Sequence, residues 1–181
     1  MEEEFEEQRI SENHHIHFTP RFDKVEENYP YFNKPFGVLH FLENSIGLDP
    51  TTGHLLDENV MIAVFDPDHI FLSPLKNDFP SPLISPHVQQ AHEKDGGMFP
   101  RTCTHGHPIA QQYSLGAQWR DFDLGLITLD PHSPSKNVSL SDALAYYPVG
   151  SPYLATGRDM LTIARDWSKF LRPVRAQYPH L

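Results

Sequence analysis

Two carboxylates and an imidazole follow an apolar run in the stretch VMIAVFDPDHIFLSPL. Val60 to Phe65 are apolar, and Asp66, Asp68 and His69 come directly after them. Two carboxylates separated by one residue can converge on a hard cation such as Mg²⁺ or Mn²⁺, which often shares its ligands with substrate phosphates. Asp-x-Asp is also common in turns, where aspartate bonds to its own backbone. A metal site and an ordinary turn therefore both stay open.

Histidines form two further groups. His105 and His107 flank a glycine in THGHP, which fits either a metal pair or a plain loop. The lead-in segment NHHIHF holds three more, and a surface cluster is the more common arrangement for them: His14, His15 and His17. A metal-dependent phosphoesterase is one function that would combine histidines with the acidic turn, through Asp66, Asp68, His69, His105 and His107.

Helices and strands must position these residues. The spacing of apolar residues predicts a helix over residues 33 to 46, with Asn33 as its N-cap and Pro35 in its first turn. One face of it is apolar: Pro35, Val38, Leu39, Leu42 and Ile46. The run from Val60 to Phe65 predicts a strand covered on both faces, as in a parallel sheet, which would put the acidic turn at its carboxyl end.

The second half of the chain predicts a short strand at Pro108 to Tyr113 and a long helix after it. Thr156 and Asp159 have the spacing of a capping box. Pro173 is expected to end this helix. Its predicted buried face consists of Met160, Ile163, Ala164, Trp167 and Leu171.

Composition limits the class of protein. The 181 residues predict one α/β domain over 29–181, preceded by an acidic, polar lead-in over 1–28 that is expected to be poorly ordered. The net charge of −10 argues against a nucleic-acid partner. One cysteine, Cys103, excludes an intrachain disulfide. We expect no membrane segment, because no apolar run approaches the ~20 residues that span a bilayer.

Four blocks of the chain occur in the same order and at similar spacing in one enzyme family. They are YPYFNKPFGVLHFLEN, IAVFDPDHIFLSPL, GHPIAQQYSLG and VGSPYLATGRDMLTIARDWSKF. On these blocks the chain resembles the plant and algal peptidyl hydroxyproline arabinosyltransferases and peptidyl serine galactosyltransferases. The resemblance implies a partial GT-A-like fold, a mixed sheet flanked by helices. It also implies retaining transfer of a pentose or hexose from a UDP-sugar to hydroxyproline or serine of a protein.

The resemblance also implies roles for single residues around the acidic turn. Asp68 would bind Mn²⁺ or Mg²⁺, and Asp66 would lie near the metal or the ribose. His69 matches the histidine that follows the second aspartate in arabinosyltransferase-like members, which makes it a candidate ligand. Asn33 and Lys34 match the start of the helix before the metal strand, and Lys34 is expected to reach the nucleotide phosphates. A solvated first-turn lysine is the alternative.

A second set of residues matches the expected substrate site. Gln111, Gln112 and Tyr113 match a polar and aromatic segment that lines the sugar site, where amides and a phenol can read hydroxyl groups. Structural hydrogen bonding is their alternative role. Gly150 and Ser151 match the start of a Gly-x-Pro loop that borders the acceptor groove. No residue is assigned as a catalytic nucleophile.

The resemblance carries two more expectations. Family members begin with an additional strand and continue beyond the QYP motif, so the chain is expected to be a fragment of a longer enzyme. Their location predicts the lumen of the Golgi or the endoplasmic reticulum. An inactive, truncated domain that acts only in binding remains an alternative function.

Overall fold

The computed structural model describes residues 17–20, 32–66, 68–69, 75, 77–79, 101–112, 116–132 and 137–177. Within these residues the fold is mixed α/β, with a three-stranded antiparallel sheet and accompanying helices. This confirms the predicted class at that coarse level. His14, His15, Tyr113 and the predicted boundary at residue 28 lie outside the described residues.

The described elements follow one another in a simple order. The first helix, α1, is continued by a π-helix, and the longest helix, α4, follows directly on strand β3. The bounds are α1 Asn33–Phe41, the π-helix Leu42–Gly47, β1 Met61–Val64, β2 Ile109–Gln112, a 3₁₀ helix Gln118–Asp121, α2 Leu124–Thr128, α3 Leu140–Tyr146, β3 Val149–Thr156 and α4 Gly157–Gln177.

Strand β3 is the centre of the sheet, with β1 on one side and β2 on the other. Both neighbours pair with it antiparallel, so Val64 lies opposite Tyr153 and Ile109 lies opposite Leu154. The parallel arrangement expected for β1 is therefore wrong. A run of apolar residues predicts a strand, but it does not specify the direction of the partner strand. The predicted strand before Tyr113 is confirmed as β2.

The hydrophobic core lies on one face of this sheet, between it and helices α1 and α4. Its buried residues are Leu42, Leu55, Ala155, Met160, Leu161 and Ala164. Alternate residues of the strands, among them Ile62, Val64 and Tyr153, pack against this cluster. The predicted apolar face of residues 33 to 46 is confirmed, since Pro35 and Leu42 are buried and Val38, Leu39 and Ile46 are half-buried.

Helix α1 begins one residue differently from the prediction. Phe32 occupies the N-cap position without a side-chain hydrogen bond, and Asn33 is the first helical residue. Phe32 is buried, and its ring lies 5.6 Å from that of Phe36. Burial of an aromatic ring therefore sets this boundary in place of a polar cap, and Pro35 leaves one fewer amide to satisfy.

Thr156 caps helix α4 as predicted, but the Asp159 side chain accepts from the Thr156 hydroxyl and not from the Thr156 backbone amide, as a full capping box would require. The Asp159 amide donates to Thr156 Oγ1 at 3.3 Å, and the Thr156 hydroxyl donates to Asp159 Oδ2 at 2.8 Å. Two amides of the first turn also donate to the segment before β1: Gly157 to the Val60 carbonyl at 2.7 Å and Arg158 to the Glu58 carbonyl at 3.1 Å.

One prediction for α4 is wrong, and another is confirmed only in part. The helix continues through Pro173 to Gln177. Proline removes one hydrogen bond, to the residue four positions earlier, and that residue, Lys169, is exposed.

The predicted buried face holds in part. Met160 and Ala164 are buried and Trp167 and Leu171 are half-buried. Ile163 is 37% exposed, and Leu161 is buried in its place. None of the described helices combines the length and apolar character needed to cross a bilayer.

Candidate functional site

The acidic turn lies directly after β1 and is closed by His69. The Asp66 amide lies 2.9 Å from His69 Nδ1, and the His69 amide donates to the Asp66 carbonyl at 3.1 Å. The His69 ring also packs edge-on against Phe65, with 6.0 Å between the ring centroids. His69 thus shapes the turn through Nδ1. When Nδ1 accepts from the Asp66 amide, Nε2 carries the ring proton. A metal ion on Nε2 would need the other tautomer, in which Nδ1 donates to the Asp66 carbonyl 3.2 Å away.

Lys34 of α1 forms an ion pair with the Asp66 carboxylate. The side chains are 32% and 39% exposed, respectively, so the pair lies at the protein surface but is partly shielded. Hydrogen bonding from Lys34 is the largest cause of a lowered Asp66 pKa, and the positive charges of Lys34 and His69 act in the same direction. Burial opposes them. Asp66 is therefore a carboxylate at neutral pH.

Ser151 comes to the same place from β3. It is buried, its hydroxyl donates to the Val64 carbonyl at 3.2 Å, and it also helps to lower the Asp66 pKa. Gly150 and Ser151 belong to the central strand, so their assignment to a loop is wrong. Gly150 of β3 pairs with Gln111 of β2. This backbone pairing extends the strand through the residues that were predicted to form a loop.

Asn33 and Asp68 border this cluster. Asn33 precedes Lys34 at the exposed start of α1, and Asp68 is exposed at the tip of the turn. Three residues from three separate blocks of the sequence therefore meet at the carboxyl end of β1: Lys34, Asp66 and Ser151. We name Lys34, Asp66 and Ser151 the acidic cluster.

The carboxylate oxygens of the acidic turn are of the type that a hard cation prefers. Among the described residues, no group of three or more histidine, cysteine, aspartate or glutamate side chains converges to hold a metal ion. Mg²⁺-type ions are often held by one or two carboxylates, with water and substrate phosphates supplying the other ligands. Asp66 and Asp68 can provide those two carboxylates.

Gln111 and Gln112 lie on the other side of the sheet from the core. They line a cavity of about 280 Å³ whose wall is mostly apolar. All four residues of β2 line this cavity, and β2 is an edge strand of the sheet, so residues that alternate along it can all border the same cavity. The other lining residues are Ala63, Phe65, Leu75, Phe79, Ile109, Ala110, Pro152 and Leu154. Phe65 lines this cavity while Asp66 turns toward α1, so the two groups of predicted residues border opposite faces.

His105 lies at the opposite end of β3 from the acidic cluster. Its Nδ1 is 2.8 Å from Asp159 Oδ1, at the start of α4. The six residues from Ser151 to Thr156 span about 17 Å of extended strand. His107 belongs to a tight turn in which its amide donates to the Thr104 carbonyl at 2.9 Å. The set of residues proposed for a phosphoesterase is therefore not brought together.

Two contacts were not predicted from the sequence, one beside the acidic cluster and one between His17 and the helix that begins with α1. Tyr153 lies beneath Lys34, with Nζ 5.7 Å from the ring centroid. The alternation of β3 would place Tyr153 on the same face as Ser151, and that was the available signal. His17 was noted, but its partners were not: its ring nitrogens lie 2.9 Å from His40 Nδ1 and 2.6 Å from Ser45 Oγ.

Similarity to known proteins does not assign a function. No family model, no curated protein and no solved structure matches the chain. Function must therefore be inferred from the chemistry of the site. An ionised carboxylate, a second carboxylate two residues away and a mobile ammonium group are suited to a cation and a polyphosphate.

Proposed function

We propose that this protein is a metal-dependent, retaining glycosyltransferase. It would move a pentose or hexose from a UDP-sugar to hydroxyproline or serine of a protein in the Golgi or endoplasmic reticulum lumen. The observation that carries the proposal is the convergence of Lys34, Asp66 and Ser151 at one end of β1. These residues come from three of the four sequence blocks on which the family resemblance rests.

The residues of the acidic cluster and their neighbours along the chain each have a role in this proposal. Asp66 and Asp68 would hold Mn²⁺ or Mg²⁺, with His69 as a further candidate ligand through Nε2. The cation would offset the negative charge that builds on the departing diphosphate. Lys34 would bind a phosphate oxygen, and Asn33 lies beside it at the start of α1. Ser151 holds the end of β1 through the Val64 carbonyl and so fixes the turn.

The substrate residues have roles in the same proposal. The amide groups of Gln111 and Gln112 are exposed at the cavity and can donate to and accept from sugar hydroxyls. The apolar wall around Phe65 suits the ring of a proline-like acceptor residue. The described residues give no basis for naming a nucleophile, and none is proposed.

The proposal is tested by calorimetric titration of the chain with UDP, UDP-arabinose and UDP-galactose, each with and without Mn²⁺. We expect binding that requires Mn²⁺. Asp68→Ala is expected to weaken it by about tenfold or more, because a charged ligand of the cation is lost.

Asp166→Ala is the matched control, since Asp166 is an exposed aspartate on α4, remote in sequence from the turn. It removes the same charge and should leave binding unchanged. The transferase proposal fails if none of the three nucleotides binds the native chain under either condition. It also fails if Asp166→Ala and Asp68→Ala weaken binding equally.

A further inference from the structure

Asp66, the candidate metal ligand, already has a positively charged partner in this structure, the Lys34 side chain. The Lys34 ammonium group is bound to Asp66 Oδ1. A divalent cation on Asp66 would have to occupy the same region, because both are drawn to the same charged oxygens. Two cations cannot share this position without strong mutual repulsion. A metal ion that binds Oδ1 of Asp66 therefore has to displace Lys34.

Because of its surroundings, Lys34 can move away from Asp66 at a small cost in free energy. About a third of each side chain in the pair is exposed, and ion pairs at this degree of exposure contribute little to stability. Lysine has a flexible four-carbon stem with a compact charge at its end. Its ammonium group also lies over the Tyr153 ring, which offers a second favourable contact.

The rest of the turn does not depend on Lys34. The Asp66 amide bonds to His69, and Ser151 bonds to the Val64 carbonyl at the end of β1. These contacts hold the backbone on either side of the carboxylate. The carboxylate can therefore exchange one cation for another while its position in the fold is kept.

We propose that Lys34 is an exchangeable internal counter-ion, which competes with the metal for Asp66 and, once displaced, binds the phosphate groups of the nucleotide. This inference rests on the proposed function and deepens it. Metal alone must displace Lys34 without compensation, whereas metal and nucleotide together give the ammonium group a new partner. The two ligands therefore bind cooperatively, and the coupling is the same in whichever order they bind.

The distinguishing consequence is a pair of opposite effects from one substitution. Lys34→Met removes the competitor, so Mn²⁺ should bind about two- to fivefold more tightly in the absence of nucleotide. The same variant lacks the ammonium group for the phosphates, so UDP at saturating Mn²⁺ should bind about tenfold more weakly. A lysine that only bound phosphates, or only supported the fold, would not strengthen Mn²⁺ binding.

Mn²⁺ binding is measured by electron paramagnetic resonance of the free ion, and UDP binding by calorimetry. Lys34→Arg keeps the positive charge and should keep the weaker, native Mn²⁺ affinity. Lys169→Met is the control for net charge, because Lys169 is an exposed lysine on α4 whose Nζ lies 5.6 Å from the Phe170 ring centroid. It should behave as the native chain does with both ligands.

The possible results separate the two proposals. If the native chain binds Mn²⁺ and UDP but Lys34→Met binds Mn²⁺ no more tightly, the counter-ion inference is overturned and the transferase proposal stands. If Lys169→Met strengthens Mn²⁺ binding as much as Lys34→Met does, the effect comes from net charge and the inference is again overturned. If the native chain binds neither ligand, both proposals are overturned.

Discussion

Each end of the central strand β3 holds one aspartate that is paired with a basic side chain. At the end that leads into α4, Asp159 pairs with His105. At the other end, Asp66 pairs with Lys34. Both carboxylates have a lowered pKa, but the donors that surround them differ.

Asp159 is held by groups that cannot leave. It accepts hydrogen bonds from the Thr156 hydroxyl at 2.8 Å and from the Gly106 amide at 2.9 Å, in addition to the contact with His105. Its side chain is only 13% exposed. Backbone amides and a helix cap are part of the fold itself, so this carboxylate has a structural role.

The largest interaction of the Asp66 carboxylate is with Lys34, a flexible side chain at the surface. Asp66 also has a second carboxylate two residues away, in Asp68, and Asp159 has no such neighbour within two positions. The comparison teaches that a lowered pKa alone does not mark a functional aspartate. Asp159 and Asp66 differ instead in their partners, which are part of the fold for Asp159 and include an exchangeable side chain for Asp66.

The largest expected effect concerns packing on the two faces of the sheet, the core and the cavity. Leu161, in the core near the Thr156 end, is 5% exposed, whereas Leu75, at the cavity, is 47% exposed. Leu161→Ala should lower the free energy of unfolding by about 2–5 kcal/mol. Leu75→Ala deletes the same atoms and should cost less than about 1 kcal/mol. Urea unfolding monitored by circular dichroism measures both, and equal losses would break the comparison.

The second prediction removes each aspartate at neutral pH. Asp159→Ala should cost about 2 kcal/mol of stability, because it leaves a cap and a backbone amide without their acceptor. Asp66→Ala should cost at most about 1 kcal/mol, since its ion pair is partly exposed and screened by solvent. The measurement is again urea unfolding, with Asp166→Ala as the exposed control on α4. A larger loss from Asp66→Ala would reverse the assignment of roles.

The smallest expected effect is a change in acid sensitivity. Burial raises the Asp159 pKa, but hydrogen bonds from Thr156 and Gly106 and the charge of His105 together bring it below its usual 3.8. A depressed pKa in the folded state contributes stability above the unfolded value, and this contribution is lost as the pH falls through the folded value.

Asp159→Asn should therefore reduce the fall in stability between about pH 5 and pH 2, by about 1 kcal/mol or less. Asp66→Asn should change this slope less, because Asp66 is more exposed and its interactions are more strongly screened. Unfolding curves across this range, recorded for both variants and the native chain, give the two slopes. A steeper slope for Asp159→Asn than for the native chain would contradict the prediction.

Local features of the fold were predictable from the sequence because they depend on neighbours along the chain. The cap that Thr156 forms on α4 is one example, and the apolar face around Leu42 is another. The antiparallel pairing of β1 was not predictable, since it depends on how distant strands connect. The passage of α4 through Pro173 was not predictable either, because proline in a helix removes a hydrogen bond and is more often found where a helix ends.

The candidate site divides in the same way. The types and spacing of Asp66 and Asp68 suggested a cation, and this remains a prediction. The ion pair with Lys34 joins residues 32 positions apart, so only the fold could show it. The separation of Gln111 from Asp66 was equally hidden, because it depends on the position of β2 in the sheet, on the other side of β3 from β1.

The bonds between the start of α4 and the segment before β1 have a consequence for hydrogen exchange. Amides in the first turn of a helix usually lack a partner and exchange rapidly with solvent. Gly157 and Arg158 instead donate to Val60 and Glu58, and a Cβ at Gly157 would lie 2.9 Å from the Asp57 carbonyl oxygen. These two amides should exchange slowly, at a rate set by separation of α4 from that segment. They are therefore site-specific reporters of the opening of this part of the fold.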